Sequence, residues 1–271
     1  MIFGNCSFAS ISDLFWRGLW KGGASGVGVT MTIARLVPRA VIDRVFRGTQ
    51  SAAIAFSFVF LFAVVVLAQE NGRQNEPGRF DFYVLALSWS PSFCAAAAEQ
   101  TPNRAPGLQC GGRPFSFVVH GLWPQYERGF PSFCQNPAPW VDRSIVDQTL
   151  DIMPSPGLVI HEWKRHGTCS GLSAKTYFET VRKARAAVTI PSAYGDHLDK
   201  PIMVTPGDVA AAFLKANPGL SQDGLAVACD SKRLSEIRIC LSKDFSFRDC
   251  PEVARRACRR DRVVMPAVRG S

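Results

Sequence analysis

The sequence predicts an α+β fold: a central antiparallel β-sheet packed against helices, in a single disulfide-stabilised domain. Three observations carry this. Apolar runs of strand length lie at 80–89, 115–120, 224–229 and 234–241, next to turn residues. Stretches at 174–187 and 206–215 hold apolar residues at helical spacing behind capping residues. Of nine cysteines, eight follow an apparent export signal, which reads as four disulfides in an oxidising compartment.

The chain opens on a segment outside that domain. Residues 52–68 form an uncharged, mostly apolar run preceded by Arg39, Arg44 and Arg47. It ends at Ala68, and polar Gln69-Glu70-Asn71 follows. This is the pattern of a secretory signal cut after Ala68. The competing reading is a retained membrane anchor, for which the run is just long enough. The Gly-rich stretch up to Thr30 is unlike a signal, and Met31 is the expected start of translation. Residues 1–68 are thus an N-terminal extension and signal peptide, and 69–271 are one folded domain of ordinary size.

Within that domain, 69–79 read as a loose polar lead and 80–89 as the first strand. Three prolines and three glycines make 101–114 a loop. The strand at 115–120 is expected to end at His120 and turn at Gly121. A helix over 141–152 would face Asp142, Asp147 and Asp151 outward and end at Pro154 and Pro156. A second helix starts near Leu158. Ser173 caps the helix at 174–187, with Tyr177, Phe178, Val181 and Ala184 on one side. Thr205-Pro206 opens the next, which Asn217-Pro218-Gly219 stops. The runs at 224–229 and 234–241 alternate as a strand pair.

The formal net charge is +9. Removing 1–68 leaves 25 Lys and Arg against 20 Asp and Glu, or +5. That suits a polyanionic partner without requiring one. Much of the excess is Arg255, Arg256, Arg259, Arg260 and Arg262, which reads more simply as a solvated helix face than as a dedicated nucleic-acid groove.

Two segments carry chemistry: Phe117-Val118-Val119-His120-Gly121-Leu122-Trp123-Pro124 and His161-Glu162-Trp163-Lys164-Arg165-His166-Gly167-Thr168-Cys169. They hold three of the four histidines, the side chain that changes charge near neutral pH unperturbed. The fourth, His197, reads as a surface loop residue. On a helix each residue turns the chain by about 100°. From His161 at zero, Arg165 then lies near 40°, Glu162 near 100° and His166 near 140°, while Lys164 turns away near 300°. Two imidazoles, a carboxylate and a guanidinium on one arc suit acid–base chemistry on a phosphate. A zinc-protease helix needs its histidines four apart; here they are five apart and no clear third ligand follows.

These two segments resemble the active-site segments of the ribonuclease T2 family, secreted or vacuolar acid endoribonucleases. Residues 80–94 also resemble that family's first strand, and the likeness runs from about 80 to 260. The resemblance implies His120 as general acid, His166 as general base, Glu162 supporting the cluster and His161 holding phosphate. Arg165 stands where the family usually has Lys, and a guanidinium keeps the charge and binds phosphate as a fork. Gln125 stands where many members have Asp, beside the base-binding region, which puts base preference in doubt. Trp123, Tyr126 and Trp89 are candidates to stack on bases, with core packing the plainer role for Trp89.

The resemblance favours the pair Cys134–Cys169. For the others the expected pairs are Cys94–Cys110, Cys229–Cys258 and Cys240–Cys250. Strand alternation weakly opposes a Cys229–Cys240 bond, because the two would lie on different faces. The residues and the resemblance together imply metal- and cofactor-free cleavage of single-stranded RNA by its own 2′-hydroxyl, with DNA inert. A secreted or periplasmic monomer without lasting membrane attachment is expected, vacuolar or lysosomal in a eukaryote. The absence of an Asn-x-Ser/Thr acceptor from 69–271 leans toward a periplasm. The competing function is a non-catalytic member that binds RNA or protein, which would be expected to lack a key histidine.

Overall fold

The structure, a computed structural model, describes residues 75–268 apart from 104, 106 and 196. The expected signal and its cut after Ala68 lie outside the described residues. In chain order the elements are β1 (Phe82–Trp89), α1 (Ser90–Gln100), α2 (Leu108–Gly111), β2 (Phe117–Gln125), α3 (Arg143–Thr149), α4 (Pro156–Arg165), α5 (Ala174–Ala186), β3 (Ile202–Val204), α6 (Pro206–Ala216), β4 (Leu225–Cys229), β5 (Leu234–Leu241), α7 (Pro251–Ala254) and β6 (Val263–Met265). An antiparallel sheet has the order β2-β1-β5-β4, and β3 pairs with β6 in a second, small sheet. The α+β class with an antiparallel sheet and helices is as the sequence predicts.

The large sheet uses its two faces differently. Leu85, Leu87 and Trp89 of β1, Val119 and Leu122 of β2, Val227 of β4, and Ile237 and Ile239 of β5 enter the main core. Trp163 of α4, Tyr177 and Val181 of α5, and Phe213 of α6 close it from the helical side. Burying each large apolar side chain contributes about 1.5–3 kcal/mol. The opposite face carries a small apolar cluster of Phe82, Val84, Cys240 and Cys250, with Trp123 and Val253 against it. The rest of that face is polar: Ser88 pairs with Glu236, and the next pair is Ala86 with Arg238.

One irregularity shapes β2. Ala86 pairs with Gly121, but Leu87 pairs with Val119. His120 is therefore an extra residue in the ladder, a β-bulge. A regular strand alternates faces, so residues three apart would point opposite ways. The bulge lets Val119 and Leu122 both enter the core while His120 and Trp123 both serve the polar face. It also corrects the expected end of this strand at His120: the strand runs through Gly121 to Gln125. Pro124 is tolerated there because β2 is an edge strand.

Other boundaries differ for identifiable reasons. Residues 90–100 form α1, with Pro91 in its first turn and four consecutive alanines behind it. Leu108–Gly111 make one helical turn inside the expected loop at 101–114. The helix expected over 141–152 is α3, seven residues long. Pro156 does not end it but opens α4, behind Ser155, whose hydroxyl accepts from the Leu158 N–H at 3.4 Å. Trp89 is fully buried, and its indole N–H donates to the Pro266 carbonyl at 3.0 Å, so it belongs to the core and cannot stack on a base. The arginines from Arg255 onward lie beyond the end of α7, not on a helix face.

The disulfides are Cys94–Cys110, Cys134–Cys169, Cys229–Cys258 and Cys240–Cys250. Cys134–Cys169 ties the turn after α4 to the loop after β2. Cys229–Cys258 ties β4 to the segment after α7. On the core side, the fully buried Tyr177 donates its hydroxyl to the Leu122 carbonyl at 2.8 Å, next to the bulge. Tyr177→Phe removes that donor and leaves the shape unchanged. It should lower the unfolding free energy by about 1–3 kcal/mol, seen as a lower urea midpoint at unchanged slope. An unmoved midpoint would show that the hydroxyl contributes nothing.

Candidate active site

The polar face of the sheet and the C-terminal end of α4 meet at the β2 edge. His120 reaches from the bulge to Glu236 on β5, with Nδ1 2.6 Å from the carboxylate oxygen Oε2. The same carboxylate accepts from the Ser88 hydroxyl at 3.4 Å and from Arg238 Nε at 2.7 Å. Its hydrogen bonds fix the imidazole plane and leave Nε2 facing Glu162, 3.8 Å away. Burial disfavours the imidazolium, but the Glu236 hydrogen bond and charge, joined by the Glu162 charge, outweigh it. His120 therefore titrates above the ordinary imidazole value. Burial would likewise raise Glu236, yet His120 and Arg238 hold it below the usual carboxylate range.

Glu162 is almost fully buried and accepts from the Trp123 indole N–H at 2.7 Å. Gly121 lies against both. A Cβ there would sit 2.1 Å from the Glu162 carboxylate oxygen and 2.3 Å from the indole nitrogen. Gly167 is constrained in the same way, since its Cβ would meet the Trp163 ring at 2.5 Å and the Tyr177 ring at 2.9 Å. The glycine after His120 and the glycine after His166 are thus close-approach positions. Burial pushes the Glu162 carboxyl up to about 7, against the pull of His120 and the indole hydrogen bond.

His166 caps α4 instead of continuing it, with φ −117° and ψ −45°, and its N–H donates to the Glu162 carbonyl at 2.9 Å. The helical arc expected from sequence holds through Arg165 and breaks one residue later. The Trp123 ring lies 5.3 Å from the His120 ring and 5.3 Å from the His166 ring, so the indole stands against both imidazoles. His166 Nδ1 is buried without a hydrogen-bond partner among the described residues. Burial and then the charges of Arg165, His120 and His161 hold His166 well below the ordinary imidazole value. His161 is exposed at the rim and also lowered, by partial burial and then by the charges of Arg165, His120 and Lys164. Lys164 is exposed and Arg165 half-buried, as the helical register predicts.

The site thus brings together His120, Glu162, His166 and Trp123, with Arg165 and His161 beside them. Gln125 is buried and bonds to its neighbour's carbonyl, Nε2 to Pro124 O at 3.2 Å. Tyr126 packs on the core, and its hydroxyl accepts from the Asn75 N–H. Sequence reading missed Phe130 and Phe133, both exposed. Phe130 lies 6.3 Å from the His166 ring, and Arg165 stands 6.0 Å from the Phe133 ring centre. It also missed Glu236 as the partner of His120. The signal was there: Glu236 and Arg238 are two charges on one face of a mostly apolar strand. Among the described residues no group of three or more His, Cys, Asp or Glu is placed to hold a metal ion.

Residues 80–250 match the model of the Ribonuclease T2 family. The chain belongs to the ribonuclease T2 family. A ribonuclease of Aeromonas hydrophila is 36% identical over 175 residues, which span 63% of this chain and 76% of that protein. A probable ribonuclease of Haemophilus influenzae is 34% identical over 152 residues, spanning 53% of this chain and 56% of that protein. The solved structure of an RNase-related protein from Calystegia sepium superposes with TM-score 0.56 at 20% identity, covering 70% of this chain and 99% of that one, and so shares the fold. Arg165 and Gln125 fall at unlike places in the site. Arg165 lies next to the histidine pair, whereas Gln125 is enclosed at the far end of β2.

The opposed environments of the two histidines are testable without any substrate. In imidazole NMR titrations, His120 should titrate above and His166 below the ordinary value. Glu236→Gln removes the carboxylate that raises His120 and should move that titration to lower pH, with His166 moving far less. An unmoved His120 would show that Glu236 does not set its protonation.

Proposed function

We propose that this chain is an endoribonuclease that cleaves single-stranded RNA through the RNA's own 2′-hydroxyl. The observation that carries this reading is the opposite bias of the two histidines around Trp123. One is held toward its protonated form and the other toward its neutral form, the division of labour that acid–base catalysis needs. Neutral His166 takes the 2′-hydroxyl proton, with Nε2 the nitrogen left to do so because Nδ1 is buried. The freed oxygen attacks phosphorus. Protonated His120, held by Glu236, gives its Nε2 proton to the departing 5′-oxygen.

The products are a 2′,3′-cyclic phosphate and a 5′-hydroxyl. Water then opens the ring with the two roles reversed, leaving a 3′-phosphate. Arg165 and His161 hold the non-bridging oxygens, and the guanidinium offsets the charge that builds on them. Glu162, whose carboxyl burial pushes up to about 7, can in its protonated form donate a hydrogen bond to a phosphate oxygen instead of repelling it. Trp123, Tyr126 and Gln125 remain the sequence-based candidates for base contact, and exposed Phe130 and Phe133 add aromatic faces beside the histidines. No metal or cofactor takes part. DNA is inert for lack of the 2′-hydroxyl. Four disulfides and the expected signal suit secretion or a periplasm, with the chain working as a monomer.

The deciding assay uses purified mature protein, short RNA, EDTA and end-group analysis. Cleavage should persist in EDTA and follow a bell in pH. The acid limb reports His166 gaining its proton, and the alkaline limb reports His120 losing its own. His120→Ala and His166→Ala should each lose about 10²–10⁴ in rate with the fold intact. Near-full activity in either variant, or equal cleavage of DNA, sinks the mechanism.

A separate comparison tests the phosphate contact. Arg165→Lys should keep substantial activity, and Arg165→Ala should lose far more than Lys164→Ala. Greater damage from Lys164→Ala would mean that the exposed lysine holds the phosphate.

A further inference from the structure

Beyond the histidines, across the sheet, lies a solvent-open concavity of ≈ 1000 Å³ that the reaction itself does not use. Its charged lining is Arg238, Arg256, Arg259, Arg260 and Arg262 against Asp230 and Asp261. Asp230 is already committed: its oxygens accept from the Lys232 and Arg233 backbone N–H groups and from Arg233 Nε. Arg256 is paired with Glu252 at 2.7 Å. Arg259, Arg260 and Arg262 are exposed, and none has an ion pair among the described residues. Elsewhere on the domain exposed arginines commonly find carboxylates, as Arg182 does with Asp151 and Arg79 with Glu76.

These guanidinium groups stand on a fixed backbone. The Cys229–Cys258 disulfide and a 2.7 Å hydrogen bond from the Cys258 N–H to the Val227 carbonyl pin the segment at one end. The Val264 N–H pins the other by donating to the Lys232 carbonyl at 2.9 Å. The concavity also shares a wall with the active centre. Arg238 lines it, and the same guanidinium bonds the carboxylate that holds His120 and lies 5.4 Å from the Trp123 ring centre. From β2 to β4 is three strand spacings, about 14 Å. An RNA strand leaving the histidines across the sheet therefore passes Arg238 and arrives at unpaired cations.

We propose that the concavity built from Arg238 and the Arg256–Arg262 segment is a second RNA subsite, which binds backbone phosphates of the strand away from the bond being cut. This rests on the ribonuclease reading of the histidine cluster. Its consequence is a preference for long substrates: phosphate contacts give affinity without reading sequence. A dinucleotide fills the histidine cluster alone and gains nothing from the subsite.

The test compares wild-type protein with a triple variant, Arg259→Ser, Arg260→Ser and Arg262→Ser. Binding of a 2′-deoxy single strand of about 12 nucleotides is followed by fluorescence anisotropy over a range of salt. This strand cannot be cleaved, so binding is read independently of activity. The triple variant should bind about tenfold or more weakly, and the slope of log Kd against log salt should fall by about 2, from three lost phosphates at about 0.7 each. The kcat/KM on long RNA should drop while that on a dinucleotide stays at the wild-type value. Lysine at all three positions should restore the slope, and Arg143→Ser on α3 should change nothing. Equal Kd and slope in wild type and triple variant overturn the proposal. So does an equal loss on dinucleotide and long RNA, which would place the arginines in the reacting centre. If wild-type protein cut no RNA at all, the ribonuclease reading would fall, while the salt slopes would still decide the subsite.

Discussion

Glu236 holds His120 from within the sheet, and the electrostatics of the site depend on that contact. Two histidines in one small, largely buried site would both be driven neutral by desolvation. A buried carboxylate 2.6 Å from one ring breaks the symmetry. It biases His120 toward its protonated form, and burial, Arg165 and then the charge of His120 bias His166 toward its neutral form. Arg238 completes the balance. It occupies the other Glu236 oxygen, so the carboxylate stays ionised though buried. The two histidines are made different by what the sheet puts behind one of them.

That arrangement needs the bulge. A regular β2 could not present both His120 and Trp123 to the polar face while burying Val119 and Leu122. Trp123 in turn fixes Glu162, and Gly121 makes room for the carboxylate between indole and strand. The second histidine is placed differently, by a helix that ends at it. α4 stops at Arg165, and the Cys134–Cys169 disulfide draws the next turn to the loop carrying Phe130 and Phe133. The Phe133 N–H donates to the Arg165 carbonyl at 2.8 Å, so the same loop closes the open end of the helix.

Much of this was legible in the sequence, and the misses have physical causes. Helical periodicity placed Glu162 and Arg165 inward and Lys164 outward, because α4 is regular there. It carried His166 one residue too far, because the helix end is set by the close packing of Gly167 on Trp163 and Tyr177, which no periodicity encodes. Alternation found β4 and β5, and an apolar run of strand length found β1, which is buried on both faces. The run at 115–120 found the start of β2 but not its end, since Val119-His120-Gly121-Leu122-Trp123 breaks the alternation at the bulge, and glycine after histidine reads as a turn. The His120–Glu236 contact spans 116 residues. Local pattern could flag Glu236 as a charge on a buried strand but not name its partner.

The charge on Arg238 joins the two halves of the molecule's polar surface. On β5 it pairs across the sheet with Ala86 on one side and Ala226 on the other, both too small to cover it. Those alanines leave the guanidinium free to reach Glu236 while still lining the concavity beyond. A larger neighbour would shield the ion pair and wall off the arginines of the 256–262 segment. Small residues flanking a single charged one are what make the polar face of the sheet continuous from His120 to Arg262. The same face that supplies the counter-charge of His120 thus also extends the cationic surface away from it.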